Sequence, residues 1–172
     1  MSWAGDIDRA GARTRAIAWT LTADGNVPLS VADVHARVAA AAAADGIADL
    51  TVDECTLACI VQSEDGNASP QTLAAIADAS CNRAERAGHS VLAEATAGRG
   101  YGRSGGGRPM STARAPQLRH VRAAVAVTRG PARGYSTGAV QWLHWRTQDV
   151  LAARDPRKAC PARVVVERWC WA

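Results

Sequence analysis

Residues 51–66, TVDECTLACIVQSEDG, are the stretch from which the rest of the chain is organised. Thr51 and Glu54 make a T-x-x-E capping box, so a helix is predicted to start there, with hydroxyl and carboxylate each satisfying an orphan amide. Leu57, Ala58, Ile60 and Val61 then supply an apolar surface broad enough for a core helix. Apolar character ends at Gln62. Ser63, Glu64 and Asp65 follow, Gly66 suits the C-terminal cap, and Ser69-Pro70 reads as the cap and first-turn proline of a second helix. The pattern sets one carboxylate, Glu64, where core gives way to cleft. Desolvation at such a place raises the pKa of a carboxylic acid, which a general acid working near neutral pH needs. The ordinary fate of a glutamate is a solvated helix end, so further features must carry the assignment.

Upstream, residues 6–21 read as a helix with Ile7, Ala10, Ile17 and Leu21 inward, followed by a turn over residues 24–28. Ser30 with Asp33 opens the next helix, SVADVHARVAAAAAADG, which Gly46 closes; its alanine run favours helix and is thin enough for close packing. His35 lies within it and is given no role. Downstream, the helix from about Pro70 to Ala87 places Leu73, Ile76, Ala77, Ser80 and Ala84 at core spacing, with Gly88 past its end. Residues 96–115 carry six glycines and four arginines with Tyr101, a loop long enough to suggest a functional role. Pro116 starts a further helix, with Leu118, Val121, Ala124 and Val125 inward and Gly130 as its stop. GAVQWLHW, residues 138–145, is the most extended-looking piece, and residues 147–153 and 161–171 read as closing helices, the last burying Val164, Val165 and Trp169. The fold class is mainly α.

At 172 residues the chain is long enough to bury a core without staples. It holds no apolar run that would span a bilayer, and its first residues, MSWAGDIDRAGARTR, are polar and acid-containing. The localisation expected is the cytoplasm of a producing cell, without a signal peptide. The five cysteines, Cys55, Cys59, Cys81, Cys160 and Cys170, contain no C-x-x-C pair and read as reduced structural thiols rather than metal ligands. Neither a metal nor another cofactor is implied. The net charge of +4 hides an asymmetry: residues 1–82 carry −7, residues 83–133 carry +8 from ten arginines and two acids, and residues 134–172 carry +3. A Gly-Arg-rich middle of this kind fits a surface that meets a polyanion, whether nucleic acid, teichoic acid or the peptidoglycan stems. GRGYGRSGGG shares only composition with phosphate-cradling loops, lacking their Lys-Ser/Thr ending and a preceding strand.

Four pieces taken in order carry a resemblance: SEDGNASPQTLAAIADASCNRA, GYGRSGGGRPMST, the helix ending TRG, and STGAVQWLHWRTQD. Together, over about residues 55–155, they resemble the cell wall hydrolases of the spore-cortex-lytic type, including phage-encoded relatives. The family pattern has an acid at a helix end, a helix closing on Asn-Arg, a Gly-aromatic-Gly loop and a Gly-Ala-aromatic segment after a turn. Here these are Glu64, Asn82-Arg83, Gly100-Tyr101-Gly102 and Gly138-Ala139 with Trp142. The resemblance implies a lysozyme-like helical domain over residues 51–172; residues 1–50 are not covered by it and read as a helical segment packed on the same domain, an attachment region or extra helices. It also implies Glu64 as the catalytic residue, peptidoglycan as partner, and association with a phage or phage-like tail before release to the wall. Where the family often has Asp-Pro-Thr before its Gly-Ala, this chain has Tyr135-Ser136-Thr137, so a carboxylate from that turn is absent.

Cleaving a glycosidic bond takes a proton for the leaving oxygen and stabilisation of an oxocarbenium-like centre. Between Glu64 and Asp149 the other acids are Asp65, Asp78, Glu85 and Glu94, and none stands where a second catalytic carboxylate is expected. One working acid suits a lytic transglycosylase better than a muramidase. Ser111, Thr112, Tyr101 and Gln141 are candidate sugar contacts by their hydroxyls and amide, and Tyr101 and Trp142 candidates for stacking on sugar faces. The competing classes are a basic nucleic-acid-binding protein, which the arginines would suit, and a structural tail component that keeps a hydrolase fold.

Overall fold

The computed structural model describes residues 22–23, 27–28, 30–96, 116–136, 138–139, 142–144, 154, 164–166 and 169–171. Two short antiparallel strands, β1 (Thr22–Ala23) and β2 (Val27–Pro28), precede the helices. Val27 and Pro28, which the sequence reading put in a turn, are thus the second strand. The helices are α1 (Val31–Ala44), α2 (Val52–Asp65), α3 (Pro70–Ala87), α4 (Val91–Thr96) and α5 (Leu118–Thr128). Beyond them β3 (Trp142–His144), β4 (Val164–Val166) and β5 (Trp169–Trp171) form an antiparallel sheet in the order β3-β5-β4. The described residues are mainly helical. The helix expected over residues 6–21, the loop of residues 97–115 and the helix expected over residues 147–153 lie outside them.

Each helix start has a local cause. At α1 the Ser30 hydroxyl accepts from the Asp33 amide while the Asp33 carboxylate accepts from the Ser30 amide, and Thr51 with Glu54 repeats the exchange at α2. At α3 the Ser69 hydroxyl accepts from the Thr72 amide, and Pro70 fills a first-turn position whose amide would have had no helical partner. The helix ends at Gly88, which adopts the left-handed conformation (φ 68°) and returns its amide to the carbonyls of Ala84 and Glu85.

Helix α2 lies at the centre, with α1, α3, α4 and α5 packed on it. From Glu54 to Val61 every residue is buried, so this helix has no polar face over two turns. The largest fully buried side chains are Leu57, Ile60 and Val61 of α2, Leu73 and Ile76 of α3, Val34 and Val38 of α1, and His120 of α5. Removing an aliphatic side chain of this kind from water contributes about 2 kcal/mol. Val34, Val38 and Ala42 recur every four residues, so α1 meets its neighbours along one narrow stripe. On α3 the positions expected inward are all buried, and Thr72, Ala74, Ala75, Asp78, Ala79 and Cys81 join them. On α5 the inward set is corrected: Leu118, Val121 and Ala124 are buried as expected, but His120, Ala123 and Val127 complete the face and Val125 is only partly buried.

The C-terminal stretch departs most from its sequence reading. Residues 161–171 were expected as a helix, and instead Val164–Val166 and Trp169–Trp171 pair as antiparallel strands, with Trp142 opposite Trp171. Three successive valines lose side-chain freedom in a helix, and β-branched and aromatic residues favour a pleated surface. The extended piece near 138–145 contains β3.

Cys55, Cys59 and Cys81 are free and buried. Burial pushes the Cys81 thiol up to about 12, and a hydrogen bond with Cys55 together with burial raises Cys59. These three thiols are therefore expected to resist a chromogenic thiol reagent in the native protein. Denatured, unreduced protein should return all five thiols, and a lower value would contradict the reading of every cysteine as reduced.

Candidate functional site

Glu64 occupies the last turn of α2, half-buried, with its Oε1 shielded from solvent. Beside it the Ser63 hydroxyl donates to the Ile60 carbonyl at 2.9 Å, and the Ala68 amide closes the following turn on the Asp65 carbonyl at 2.9 Å. Gly66 is the C-cap residue, as expected, in a right-handed conformation with φ and ψ of −58° and −17°. What it supplies is a carbonyl. His120 Nε2 lies 2.8 Å from the Gly66 oxygen, and one residue earlier on α5 the Arg119 guanidinium donates to the Ala68 carbonyl at 2.5 Å. The first turn of α5 thus staples the loop between α2 and α3, and with it the helix end that carries Glu64.

His120 is wholly buried, and its tautomer follows from its partners. Nδ1 accepts from the Gln117 amide at 2.8 Å, so the ring proton sits on Nε2 and is donated to Gly66. Burial pushes its pKa down to about 4, opposed by the Gly66 hydrogen bond and assisted by the cation of Arg119. Above its ordinary value of 6.5 the ring is neutral in folded and unfolded chains alike, and its contribution is complete. Between 6.5 and about 4 the unfolded chain takes up a proton that the folded chain refuses, so stability falls with pH across that window. The loss is on the order of 3 kcal/mol. Urea unfolding at a series of pH values should show this slope in the native chain and a flatter one in His120→Gln.

Two further polar clusters hold the frame. Glu54, the capping acid of α2, also receives a two-pronged grip from Arg129, with Nε 2.5 Å from Oε1 and Nη2 2.6 Å from Oε2. The Thr128 hydroxyl adds a bond to Oε1 at 2.8 Å, and the same guanidinium donates to the carbonyls of Ala48 and Asp49. Burial works to raise the Glu54 pKa, but the bonds from Arg129, Thr51 and Thr128 outweigh it and hold the carboxyl at about 2. On α3 the fully buried Asp78 accepts from the Gly134 amide at 2.8 Å, the Ser136 amide at 2.9 Å, the Ser136 hydroxyl at 2.5 Å and the Arg133 guanidinium. One turn on, Asn82 donates to the Ser136 hydroxyl at 3.1 Å and to the Ala139 carbonyl at 2.9 Å.

The charge asymmetry of the sequence finds a physical reading in these contacts. Arg122 pairs with Asp45, Arg129 with Glu54, Arg133 with Asp78 and Glu85, and Arg83 with Glu94. With Arg119 bound to Ala68, five arginines of the basic middle are tied to partners within the chain, Arg129 and Arg133 while still exposed, and three of the five acids that meet them come from the acidic first half.

Of the residues singled out for function, Glu64 stands where the sequence put it, at the end of the central helix. Asn82 and Ala139, from two of the segments that carried the resemblance, meet directly. Trp142 begins β3 opposite Trp171. Tyr101, Ser111, Thr112 and Gln141 lie outside the described residues. His35, given no role, has Nε2 at 2.6 Å from the Leu50 carbonyl. Among the described residues no group of three or more His, Cys, Asp or Glu side chains is placed to hold a metal, and no helix is long and apolar enough to cross a membrane. No family model, curated protein or solved structure matches the chain.

Sequence reading missed His120, Arg129 and the clasp around Asp78. Their partners are 54, 75 and up to 58 residues away, beyond the reach of any local pattern. The one available signal was the opposed charge of the two halves.

Proposed function

We propose that this chain cleaves the glycan strand of peptidoglycan between N-acetylmuramic acid and N-acetylglucosamine, with Glu64 as the single general acid and base. The observation that carries the reading is the position of Glu64: a carboxylate on the last turn of a buried helix, one oxygen shielded, with its loop held from behind by α5. The other acids support a one-carboxylate mechanism, since Glu54, Asp78, Asp45 and Glu94, and the exposed Glu85, are engaged in pairs with arginine. This favours a lytic transglycosylase over a muramidase. Glu64 protonates the glycosidic oxygen as its bond to the anomeric carbon breaks. The resulting carboxylate then takes the proton of the muramic acid 6-hydroxyl, whose oxygen closes on the same anomeric carbon. The proton account balances without water, and the product carries a 1,6-anhydro ring. Tyr101, Ser111, Thr112, Gln141 and Trp142 are the proposed sugar contacts, and the lysozyme-like architecture and delivery by a phage or phage-like tail belong to the same proposal.

The nucleic-acid alternative loses ground because the two arginines of α5, Arg119 and Arg122, are engaged with Ala68 and Asp45. A gel containing purified peptidoglycan should clear around the renatured protein. Absence of clearing on walls from several bacterial classes, with DNA retardation that weakens steeply as salt rises, would replace this reading with a binding one.

A further inference from the structure

We infer that His120 is the positioning residue for Glu64, and that it makes the presentation of that carboxylate conditional on pH, because the imidazole can hold both of its partners in one protonation state alone. The inference rests on the proposed role of Glu64 for its catalytic half; the loop-holding half stands on the geometry. Nδ1 must be bare to accept from the Gln117 amide, and Nε2 must carry the proton to donate to the Gly66 carbonyl. A second proton would go onto Nδ1, where it faces the Gln117 N–H. Two donors would then point at each other inside a site from which water is excluded. Relief requires the first turn of α5 to shift. That turn is what holds Gly66, two residues beyond Glu64, and through Arg119 it also holds Ala68.

The charged groups around the ring do not favour the second proton. Arg119 neighbours it on α5 and opposes protonation. The acids of α3 and α1 nearest in the fold, Asp78 and Asp45, are held by Arg133 and Arg122 and do not act on the ring. From α2, Glu64 and Asp65 stand just before the carbonyl that the ring binds. Below the transition, the loop should loosen and the acid should lose its alignment while the buried middle of α2 stays intact.

The test pairs hydrogen exchange with turnover of purified peptidoglycan. Protection factors are followed at the Ala68 amide, which bonds Asp65, and at the Val121 amide, which bonds Gln117, with Ile60 in the middle of α2 as reference. In the native chain, protection at Ala68 and Val121 should fall as pH drops from about 6.5 towards 4, with Ile60 following only as far as the whole chain loses stability, and turnover should fall as the lower end of that window is reached. His120→Gln places an untitratable amide donor within reach of Gly66, so protection and turnover should both lose their slope. His120→Asn keeps an acceptor for Gln117 but falls short of Gly66. It should lose protection at Ala68 already at neutral pH, and kcat should drop by up to about a hundredfold, as misplacement of a catalytic group does, with KM within about twofold. Loop protection in the native chain that stays level from pH 7 to 4, or a His120→Asn variant with native loop protection and native kcat, overturns the inference. A protein that shows the loop transition but never degrades walls keeps the holding role of His120 and removes the glycan reading instead.

Discussion

Replacing Glu64 by glutamine is expected to lower wall degradation by about a hundredfold or more while leaving the urea unfolding midpoint close to its native value. The amide keeps the shape and most of the hydrogen bonding of the carboxyl group. What it lacks is a proton of the right acidity for the leaving oxygen, and a basic oxygen to receive the one from the 6-hydroxyl. Glu64 is also outside the wholly buried run of α2, which ends at Val61, so the core is undisturbed. Asp65→Asn and Glu94→Gln serve as comparisons with mild effects on turnover. Glu94 faces Arg83 and His89 rather than the proposed reacting bond. Native activity in Glu64→Gln would remove the residue from the mechanism.

Replacing Arg129 by methionine should have the largest effect on stability. The guanidinium occupies both oxygens of a carboxylate whose side chain is 3 % exposed, and it satisfies the carbonyls of Ala48 and Asp49 in the loop ahead of α2. Without it Glu54 keeps its bonds from Thr51 and Thr128 but loses its counter-charge, and two carbonyls lose their donor. With the carboxylate buried but the guanidinium 38 % exposed, solvent screens part of the loss, and removing the arginine costs about 2 kcal/mol. The urea midpoint should fall accordingly, and Arg129→Lys should recover only part of it, because an ammonium offers a point charge where a two-pronged fork is used. The acid sensitivity should change as well: the native Glu54 contribution is complete above its ordinary value of 4.5 and is lost as pH falls towards about 2. Arg129→Met should lose that dependence. A midpoint equal to the native one would show that the pair is not a strut.

Helix starts were legible in the sequence because their causes are local. Ser30 with Asp33, Thr51 with Glu54 and Ser69 with Pro70 each act within four residues, and α1, α2 and α3 begin where those pairs put them. The position of Glu64 followed from the same logic, as the end of an apolar run. Gly66 caps α2 where the sequence put it, but the grip on its carbonyl by a histidine from another helix lay beyond local pattern. His120 was invisible as a core residue because an imidazole belongs in a core only if both nitrogens are satisfied, and one of its two partners lies 54 residues away. The strands at Val164–Val166 and Trp169–Trp171 were read as helix from apolar spacing, where the β-branched and aromatic character decided otherwise. Arg129 and Arg133 are exposed, and what the sequence could not show is that each reaches a buried carboxylate, on α2 and α3.

The central claim is tested most directly by mass spectrometry of the fragments released when the purified protein is incubated with purified peptidoglycan, with Glu64→Gln in parallel. Fragments ending in 1,6-anhydro-muramic acid, produced by the native chain and not by the variant, are the expected result. Reducing muramic ends would mean that water attacked and that the enzyme is a muramidase. No glycan fragments from the native chain, or equal amounts from the variant, would contradict the assignment of glycan cleavage to Glu64.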